Sequence, residues 1–296
     1  MYLGALIIIV FILSLRRSLV LQSSPALNIP WRLWEVAIIL IAIEFVQLIV
    51  AGIFTAHTDA KLIEIGKIFS FPIALAGLLI FFFISSKSSI AFFGLNHHLW
   101  KLQILFGIRW ASIYSISVFL LIFGTFGMNV EDFHRGGFFY EIQSGWGTWD
   151  GWKLLLSFFT TVFVAPILEE LMFRGLLYTT IRKEISLWLS ILITSFVFML
   201  AHDFNAYGAF LISVFLCLLV EKGHSLLPAI AAHITHNFLA EAKSIPFVLH
   251  IPFDTYIYFL LAGGFMIVIG TFLLEVWTRK CSGQPLTLDM VWSVPQ

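Results

Sequence analysis

The chain has 296 residues, of which 60% are hydrophobic and 11% are charged, and its 17 basic residues balance 17 acidic ones. A soluble domain has about 25% charged and 45–50% apolar residues, so this composition excludes an ordinary soluble protein and a disordered chain. The zero net charge argues against a nucleic-acid-binding protein, which carries a basic excess. The two cysteines, Cys217 and Cys281, form no CxxC pair, so neither a disulfide framework nor a structural zinc site is supported.

Long apolar runs follow one another along the chain and predict membrane-spanning helices. A span needs about 20 apolar residues, and continuous rather than alternating runs favour helices over a β-barrel. The predicted fold class is therefore all-α, a polytopic integral membrane bundle of eight or nine helices, depending on whether the short first run spans or lies in the interface. The nine runs are Tyr2–Leu15, Leu33–Phe54, Gly66–Ile84, Ile104–Met128, Trp152–Ile181, Ser186–His202, Tyr207–Val220, Leu226–Ala240 and Tyr256–Trp277.

The organisation of the chain predicts one membrane domain. No internal repeat and no low-complexity linker interrupts the sequence, so we expect a single helical domain over residues 1–277 and a C-terminal tail over residues 278–296. Basic residues favour cytoplasmic loops, and their distribution indicates an outside N-terminus and an inside C-terminus. The longest loop, Asn129–Gly151, is interpreted as an interfacial loop with Trp anchors, and a lid over a site is the alternative.

Three charged residues, Glu169, Glu170 and Arg174, lie together within the apolar run Trp152–Ile181, where a central charge costs roughly 2.5–3.5 kcal/mol on insertion scales. Glu170 and Arg174 are four residues apart and share a helix face, so we expect them to pair. Glu169 lies about 100° away around the helix and need not share that partner. Glu169 is therefore interpreted as a candidate general base, and a purely structural ion-pair clamp is the alternative. Pro166, one turn earlier, is expected to kink the helix.

Two later runs also carry polar residues at helical spacing. The next run ends in His202, and a later one contains His233 and Asn237, which are four residues apart and share a face. His236 lies on an adjacent face of the same run. A lone histidine is usually structural, but a Glu pair, an Arg and these His and Asn residues in three apolar runs are hard to explain by packing alone.

Together these residue types suit hydrolysis of a peptide bond. Glu169 would deprotonate a water positioned by His202, and His233 and Asn237 would donate to the oxyanion of a tetrahedral intermediate. A zinc ion held by Glu169, His202 and His233 is the other use of these groups, and both mechanisms stay open. We predict no required cofactor, with zinc as the alternative. The chain contains no HExxH, no GxSxG and no pair of intramembrane aspartates, so other protease designs fit less well.

The same residues form three motifs that resemble those of the CPBP family, the CAAX-protease and bacteriocin-processing intramembrane proteases, and in particular the type II CAAX prenyl endopeptidases. The segments Glu169–Arg174, Phe198–His202 and His233–Asn237 match EExxxR, FxxxH and HxxxN in family order. The resemblance covers Trp152–Ala240, about a third of the chain. It implies an intramembrane endopeptidase, more often described as a glutamic than as a metal-dependent enzyme.

The resemblance also implies roles and partners. The first Glu and the FxxxH His activate water in the family, and the HxxxN pair stabilises the oxyanion. The resemblance implies that the catalytic residues here are Glu169, Glu170, Arg174, His202, His233 and Asn237. Among them, Glu170 and Arg174 are the supporting pair. The implied partners are membrane lipid and a protein or peptide substrate, prenylated in eukaryotic relatives, and no nucleic acid. The implied location is multi-pass in a membrane, the plasma membrane in a bacterium.

Two other classes of function remain open from the sequence. A proton- or ion-coupled transporter also places Glu, Arg and His inside the membrane, although the repeats of many transporters are missing here. A non-catalytic immunity or scaffold protein that acts by binding is the second alternative.

Further polar residues are assigned structural or solvated roles. Glu44 and Gln47 lie in the middle of an apolar run and are interpreted as contacts between helices, with support of the site as the alternative. The histidines interpreted as solvated or boundary residues are His57, His97, His98, His134, His224 and His250.

Overall fold

The computed structural model describes residues 30–55, 60–84, 90–95, 99–126, 151–202, 207–242, 253–281 and 283. These residues form helices and turns and no β-strand, which confirms the all-α fold class for this part of the chain. A short 3₁₀ turn, Ile90–Phe93, precedes the third helix. The eight helices are α1 (Leu33–Thr55), α2 (Ala60–Ile84), α3 (Trp100–Phe126), α4 (residues 151–184), α5 (Leu187–His202), α6 (Tyr207–Gly223), α7 (Leu227–Ala242) and α8 (Phe253–Cys281).

Every apolar run predicted from Leu33 onward coincides with one of these helices. The largest difference is in α2, which begins at Ala60 rather than Gly66, because Lys61 and Glu64, which interrupt the apolar run, are themselves good helix formers. Helix α8 continues to Cys281, four residues into the predicted tail, with Arg279 and Lys280 near the negative end of the helix dipole.

Other sequence-based predictions lie outside the described residues. The predicted first span Tyr2–Leu15 is one of them, and so is nearly all of the predicted loop Asn129–Gly151. The histidines that lie outside the described residues are His57, His97, His98, His134 and His250.

Three stretches within the described residues are long and apolar enough to cross a membrane: Leu33–Val50, Leu155–Glu184 and Leu261–Cys281. Two shorter apolar helical stretches, Ile68–Ile84 and Leu187–His202, accompany them. Apolar side chains of the first stretch point outward: Ile41 and Leu48, for example, are each 68% exposed. This pattern suits a lipid-facing helix, whereas the predicted total of eight or nine crossings stays a prediction.

The described residues fall into two compact units. One, which we call the motif unit, contains α1, α2, the 3₁₀ turn, α4, α5, α6 and the chain up to Ile230. The other, which we call the α3–α8 unit, contains α3 from Lys101, α7 from Ala231, and α8. Each unit is a group of residues that pack mainly with one another. The single membrane domain predicted over residues 1–277 stays a prediction.

Helix α4 is the central element of the motif unit and packs against α1, α2, α5 and α6. It is one helical run with two wider π-helical portions, in which backbone bonds span five residues. The first portion, Thr160–Val164, closes with a bond from the Ala165 N–H to the Thr160 carbonyl and ends two residues before Pro166. Because Pro166 has no N–H to donate, a regular α-turn would be incomplete there, and the π turn accommodates the proline. The second portion, Glu170–Tyr178, carries most of the EExxxR motif and is entirely buried.

A tight turn before α7 is held against the chain that follows the 3₁₀ turn. The Leu226 N–H donates to the Phe93 carbonyl at 3.0 Å, and the Ser225 hydroxyl donates to the Gly94 carbonyl at 3.0 Å. Ser225 also caps α7, because its hydroxyl accepts the Leu227 N–H at 3.1 Å. Gly94 has a φ of +67°, and a Cβ atom there would lie 2.6 Å from the His224 carbonyl oxygen. This position therefore requires glycine.

Replacing Gly94 with Ala should destabilise the protein by about 1–3 kcal/mol, because it adds left-handed strain to a steric clash. Thermal unfolding in detergent measures the change. Gly77→Ala is the matched control, since nothing lies within 4 Å of its added Cβ atom and the position is helical. The control should be neutral or slightly stabilising, and an equal loss of stability in both variants would contradict the prediction.

The α3–α8 unit contains its own buried ionic cluster. Arg109 of α3 donates to Glu275 of α8, and Arg279 donates to the other oxygen of the same carboxylate at 2.8 and 3.0 Å. All three side chains are at most 6% exposed. Because Glu275 is shared by two cations, it fixes α3 and α8 to each other in a single register.

Candidate active site

The Glu170 and Arg174 side chains form the predicted i,i+4 ion pair on α4. Arg174 Nη1 donates to Glu170 Oε1 at 2.8 Å, and both side chains are completely buried. The Arg174 guanidinium also lies over the Phe198 ring of α5, 4.4 Å from its centroid. A carboxylate and an aromatic face thus compensate the buried cation together.

The neighbouring carboxylate, Glu169, faces a different partner. Its Oε2 atom lies 3.7 Å from His202 Nε2, and the two side chains are 14% and 36% exposed. The other ring nitrogen, Nδ1, lies 2.9 Å from the Phe198 carbonyl oxygen. Since a carbonyl only accepts, Nδ1 is the donor in that bond, and a neutral His202 then directs the lone pair of Nε2 toward Glu169. Adjacent glutamates therefore occupy distinct environments, one sealed and one accessible.

A separation of 3.7 Å is too long for a direct hydrogen bond and suits one bridging molecule. A water between Glu169 Oε2 and His202 Nε2 can donate one hydrogen to each. Its lone pairs then point away from both acceptors. The arrangement can therefore orient a water as a nucleophile next to a carboxylate that can take its proton.

Phe198 joins the two pairs. Its ring contacts Phe173 edge-on with centroids 4.9 Å apart and lies 4.2 Å from the His202 ring, and the residue is 1% exposed. The face of the same ring packs against the Arg174 guanidinium. The FxxxH motif therefore has a physical reason for its aromatic residue, a role that the sequence analysis did not assign to Phe198. The four-residue spacing to His202 was the available signal.

Glu44 of α1 is an exposed carboxylate that interacts electrostatically with this site. It is the middle residue of the 23-residue helix, and its charge interacts with that of Glu169. The sequence favours an ordinary contact between helices for Glu44, with support of the site as the alternative. This proximity favours the alternative.

A second polar cluster continues along α4 beyond the EExxxR motif. The Tyr178 hydroxyl donates to Glu221 of α6 at 2.6 Å, and Arg182 Nε lies 3.3 Å from the same Glu221 oxygen. All three residues are buried. Sequence reasoning missed this cluster, because a Glu beside Lys222 at the end of an apolar run resembles a boundary residue.

The HxxxN residues lie on α7 in the α3–α8 unit. His233 is 4% exposed, and Asn237 follows one turn later and is partly exposed. His236, which the sequence placed on an adjacent face, lies 3.2 Å from the Ser115 hydroxyl through Nδ1 and contacts the Tyr114 ring edge-on. The third histidine is therefore occupied by contacts with α3.

The three residues proposed to bind zinc lie on three helices: Glu169 on α4, His202 on α5 and His233 on α7. Glu169 and His202 supply one oxygen and one nitrogen, and their 3.7 Å separation is close to the roughly 3.4 Å expected between two tetrahedral zinc ligands with bonds near 2.1 Å. This pair fits a zinc ion as well as a water. Within the part of the chain that is described, no group of three His, Cys, Asp or Glu side chains is arranged to hold a metal.

The fold and this geometry define a helical protein with an accessible carboxylate–histidine pair next to a sealed ion pair. Residues 151–239 match the family model described as type II CAAX prenyl endopeptidase Rce1-like. The match confirms the resemblance predicted from the three motifs and covers all of them, so the chain carries an Rce1-like domain over these residues. Neither a curated protein nor a solved structure matches the chain.

Proposed function

We propose that this protein is an intramembrane endopeptidase that hydrolyses a peptide bond with a water activated by Glu169. The observation that carries the proposal is the accessible Glu169–His202 pair, with atoms 3.7 Å apart, beside the buried Glu170–Arg174 pair. The Rce1-like match over residues 151–239 supports the same reaction class.

The chemistry follows from the two environments of the glutamates. Glu169 removes a proton from the water that it shares with His202, and the water oxygen attacks the carbonyl carbon of the substrate. The carbonyl π bond opens and leaves a tetrahedral oxyanion. The carbon–nitrogen bond then breaks, the leaving nitrogen takes the proton from Glu169, and a carboxylic acid and an amine are released.

The oxyanion needs donors, and we assign this role to His233 and Asn237. The assignment rests on the HxxxN motif and on the chemistry of imidazole and amide N–H groups, which can stabilise a developing negative charge. Preorganised donors of this kind are worth roughly 2.7–4 kcal/mol each in known hydrolases.

The Glu170–Arg174 pair supports the reaction without taking part in proton transfer. Arg174 engages Glu170 in a sealed environment, so the two adjacent carboxylates do not compete for the same water. Arg174 also holds Phe198, whose carbonyl accepts from His202. The pair therefore positions both Glu169 and His202.

We further propose a protein or peptide substrate that carries an isoprenoid chain, with the enzyme embedded multi-pass in the membrane. An apolar groove of about 300 Å³ lies between α1 and α2 in the motif unit. Its walls include Ile38, Ala42 and Val46 of α1 and Gly77 and Phe81 of α2. Ile43 of the groove wall is followed in α1 by Glu44, whose charge interacts with that of Glu169, so an apolar chain and a peptide can approach the same unit.

A metal-dependent version would use the same groups. Zinc would be held by Glu169, His202 and His233 and would supply Lewis acidity toward the carbonyl and the water. The glutamate mechanism is preferred because the Glu169–His202 pair already places both acceptors for one water.

Purified protein should cleave a fluorogenic peptide with a prenylated CAAX sequence, and cleavage should survive a metal chelator. The measurement compares initial rates with and without chelator in detergent. Loss of activity that added zinc restores would overturn the glutamate mechanism and support the metal version. Glu169-dependent ion flux into liposomes, without cleavage of any peptide, would instead support a transporter.

A further inference from the structure

Hydroxyl groups in the helices of this protein usually bond to their own backbone. A helical Ser or Thr commonly donates to the carbonyl four residues earlier. Ser190 does so at 2.9 Å and Thr235 at 2.7 Å, and Thr179 bonds to the Gly175 carbonyl in the same way. A buried hydroxyl that departs from this pattern therefore points to another partner.

Three hydroxyls on α5 and α6 depart from it. Thr194, Ser195 and Ser213 are completely buried, and among the described residues their hydroxyl oxygens have no hydrogen-bond partner. The same is true, within the described part of the chain, of the Nε and Nη2 atoms of Arg174. Among the described residues these five buried polar atoms are thus left without a partner, although Arg174 also bonds to the Cys217 thiol.

The residues that carry these atoms are Arg174 itself and residues within about one helical turn of its neighbours Phe198 and Cys217. Thr194 and Ser195 lie four and three residues before Phe198, whose ring is under the Arg174 guanidinium. Ser213 lies one turn before Cys217, which interacts electrostatically with Arg174. Helices α5 and α6 pack on each other, and each packs on the π-helical portion Glu170–Tyr178. The three hydroxyls therefore lie on α5 and α6, the two helices whose Phe198 and Cys217 side chains adjoin the Arg174 guanidinium.

The chemistry of the cluster selects its ligand. A cation would meet Arg174, and an anion would meet the Glu170 carboxylate that Arg174 binds. A neutral molecule that both donates and accepts suits hydroxyl oxygens and guanidinium N–H groups together. Water is the smallest such molecule, and buried waters typically make two to four bonds to groups of this kind.

We propose that Thr194, Ser195, Ser213 and Arg174 bind a cluster of ordered waters, and that this cluster is the reserve from which the hydrolytic water reaches Glu169. Thr194, Phe198 and His202 follow each other at four-residue spacing on α5. The cluster is thus about 12 Å along the helix from His202, at 1.5 Å per residue. The reserve role rests on the proposed function, whereas the water site does not.

The water site is tested by radiolytic labelling of Cys217 in ¹⁸O-water. Cys217 is completely buried, so its sulfur should gain ¹⁸O only if water lies beside it. Exposed Cys281 is the positive control, and buried Met172 of α4 is the comparison for a sulfur without a water site. We expect labelling of Cys217 in the folded wild-type protein.

The matched variant replaces the hydroxyls with groups of similar shape, Thr194→Val, Ser195→Ala and Ser213→Ala. Labelling of Cys217 should be lost in this variant while Cys281 stays labelled. A wild-type Cys217 labelled no more than Met172, or one labelled equally in the variant, overturns the water site. Thermal unfolding checks that the triple variant is folded. If it is not, the single variant Ser195→Ala is used in its place, and it should reduce the labelling of Cys217.

The reserve role is tested by kinetics of the same variant. We expect kcat for peptide cleavage to fall about tenfold with KM unchanged, because the variant slows the supply of water and not the binding of the peptide. An unchanged kcat together with lost labelling overturns the reserve role and leaves the water site. If the wild-type protein cleaves no peptide, the proposed function fails, and the labelling still decides the water site.

Discussion

Replacing Glu169 with Gln should lower kcat for peptide cleavage by about 100- to 10,000-fold, the range that a positioned general base contributes. The amide keeps the size of the carboxylate and can still accept a hydrogen bond, but it cannot remove a proton from water. KM should change little, because Glu169 acts on the water rather than on the bound peptide. Glu169 is only partly exposed and lies beside His202, so the variant should fold normally.

The measurement is steady-state cleavage of a prenylated CAAX peptide by matched preparations. Glu184→Gln is the control, since it removes an exposed carboxylate at the end of the same helix. It should retain wild-type kcat. If Glu169→Gln keeps full activity, the carboxylate is not the base, and the assignment of Glu169 is wrong.

Most of the helical organisation was predictable because the sequence encodes it locally. Apolar runs of near-membrane length interrupted by polar turns correspond to α1 through α8, within a few residues at most ends. The Glu170–Arg174 pair was predictable for the same reason, since residues four apart meet on any helix. The FxxxH and HxxxN spacings were visible, and the family match covers the same stretch.

Contacts between distant parts of the chain were not predictable from one sequence. Tyr178 meets Glu221 across 43 residues, and Arg109 meets Glu275 across 166 residues. No local spacing marks either pair, because helix packing rather than periodicity creates them. The proximity of Glu44 to Glu169 has the same origin.

The π-helical turns show a third limit. The kink expected at Pro166 stays a prediction, whereas the wider turn over Thr160–Val164 just before it was not predicted. A second wide portion follows over Glu170–Tyr178. In a regular α-helix, residues four apart drift about 40° around the axis, and a wider turn opposes this drift. Glu170, Arg174 and Tyr178 can then stay near one line facing α5 and α6.

Replacing Arg174 with Met should destabilise the protein by about 3–5 kcal/mol, the usual cost of leaving a buried charge without its partner. Glu170 and Arg174 are both completely buried, so water cannot compensate the remaining carboxylate. The double variant Glu170→Gln/Arg174→Met removes both charges at similar volume. It should recover much of the lost stability, because replacing both partners of a buried ion pair is often neutral or stabilising.

Equilibrium unfolding of the two single variants and the double variant in detergent gives the coupling energy of the pair. Additive effects of the two single changes would contradict a direct interaction. Activity separates stability from chemistry: the double variant should be stable yet slow, because Arg174 no longer holds Phe198 under His202. A double variant that cleaves the peptide as fast as the wild-type protein would show that the pair does not position Glu169 and His202.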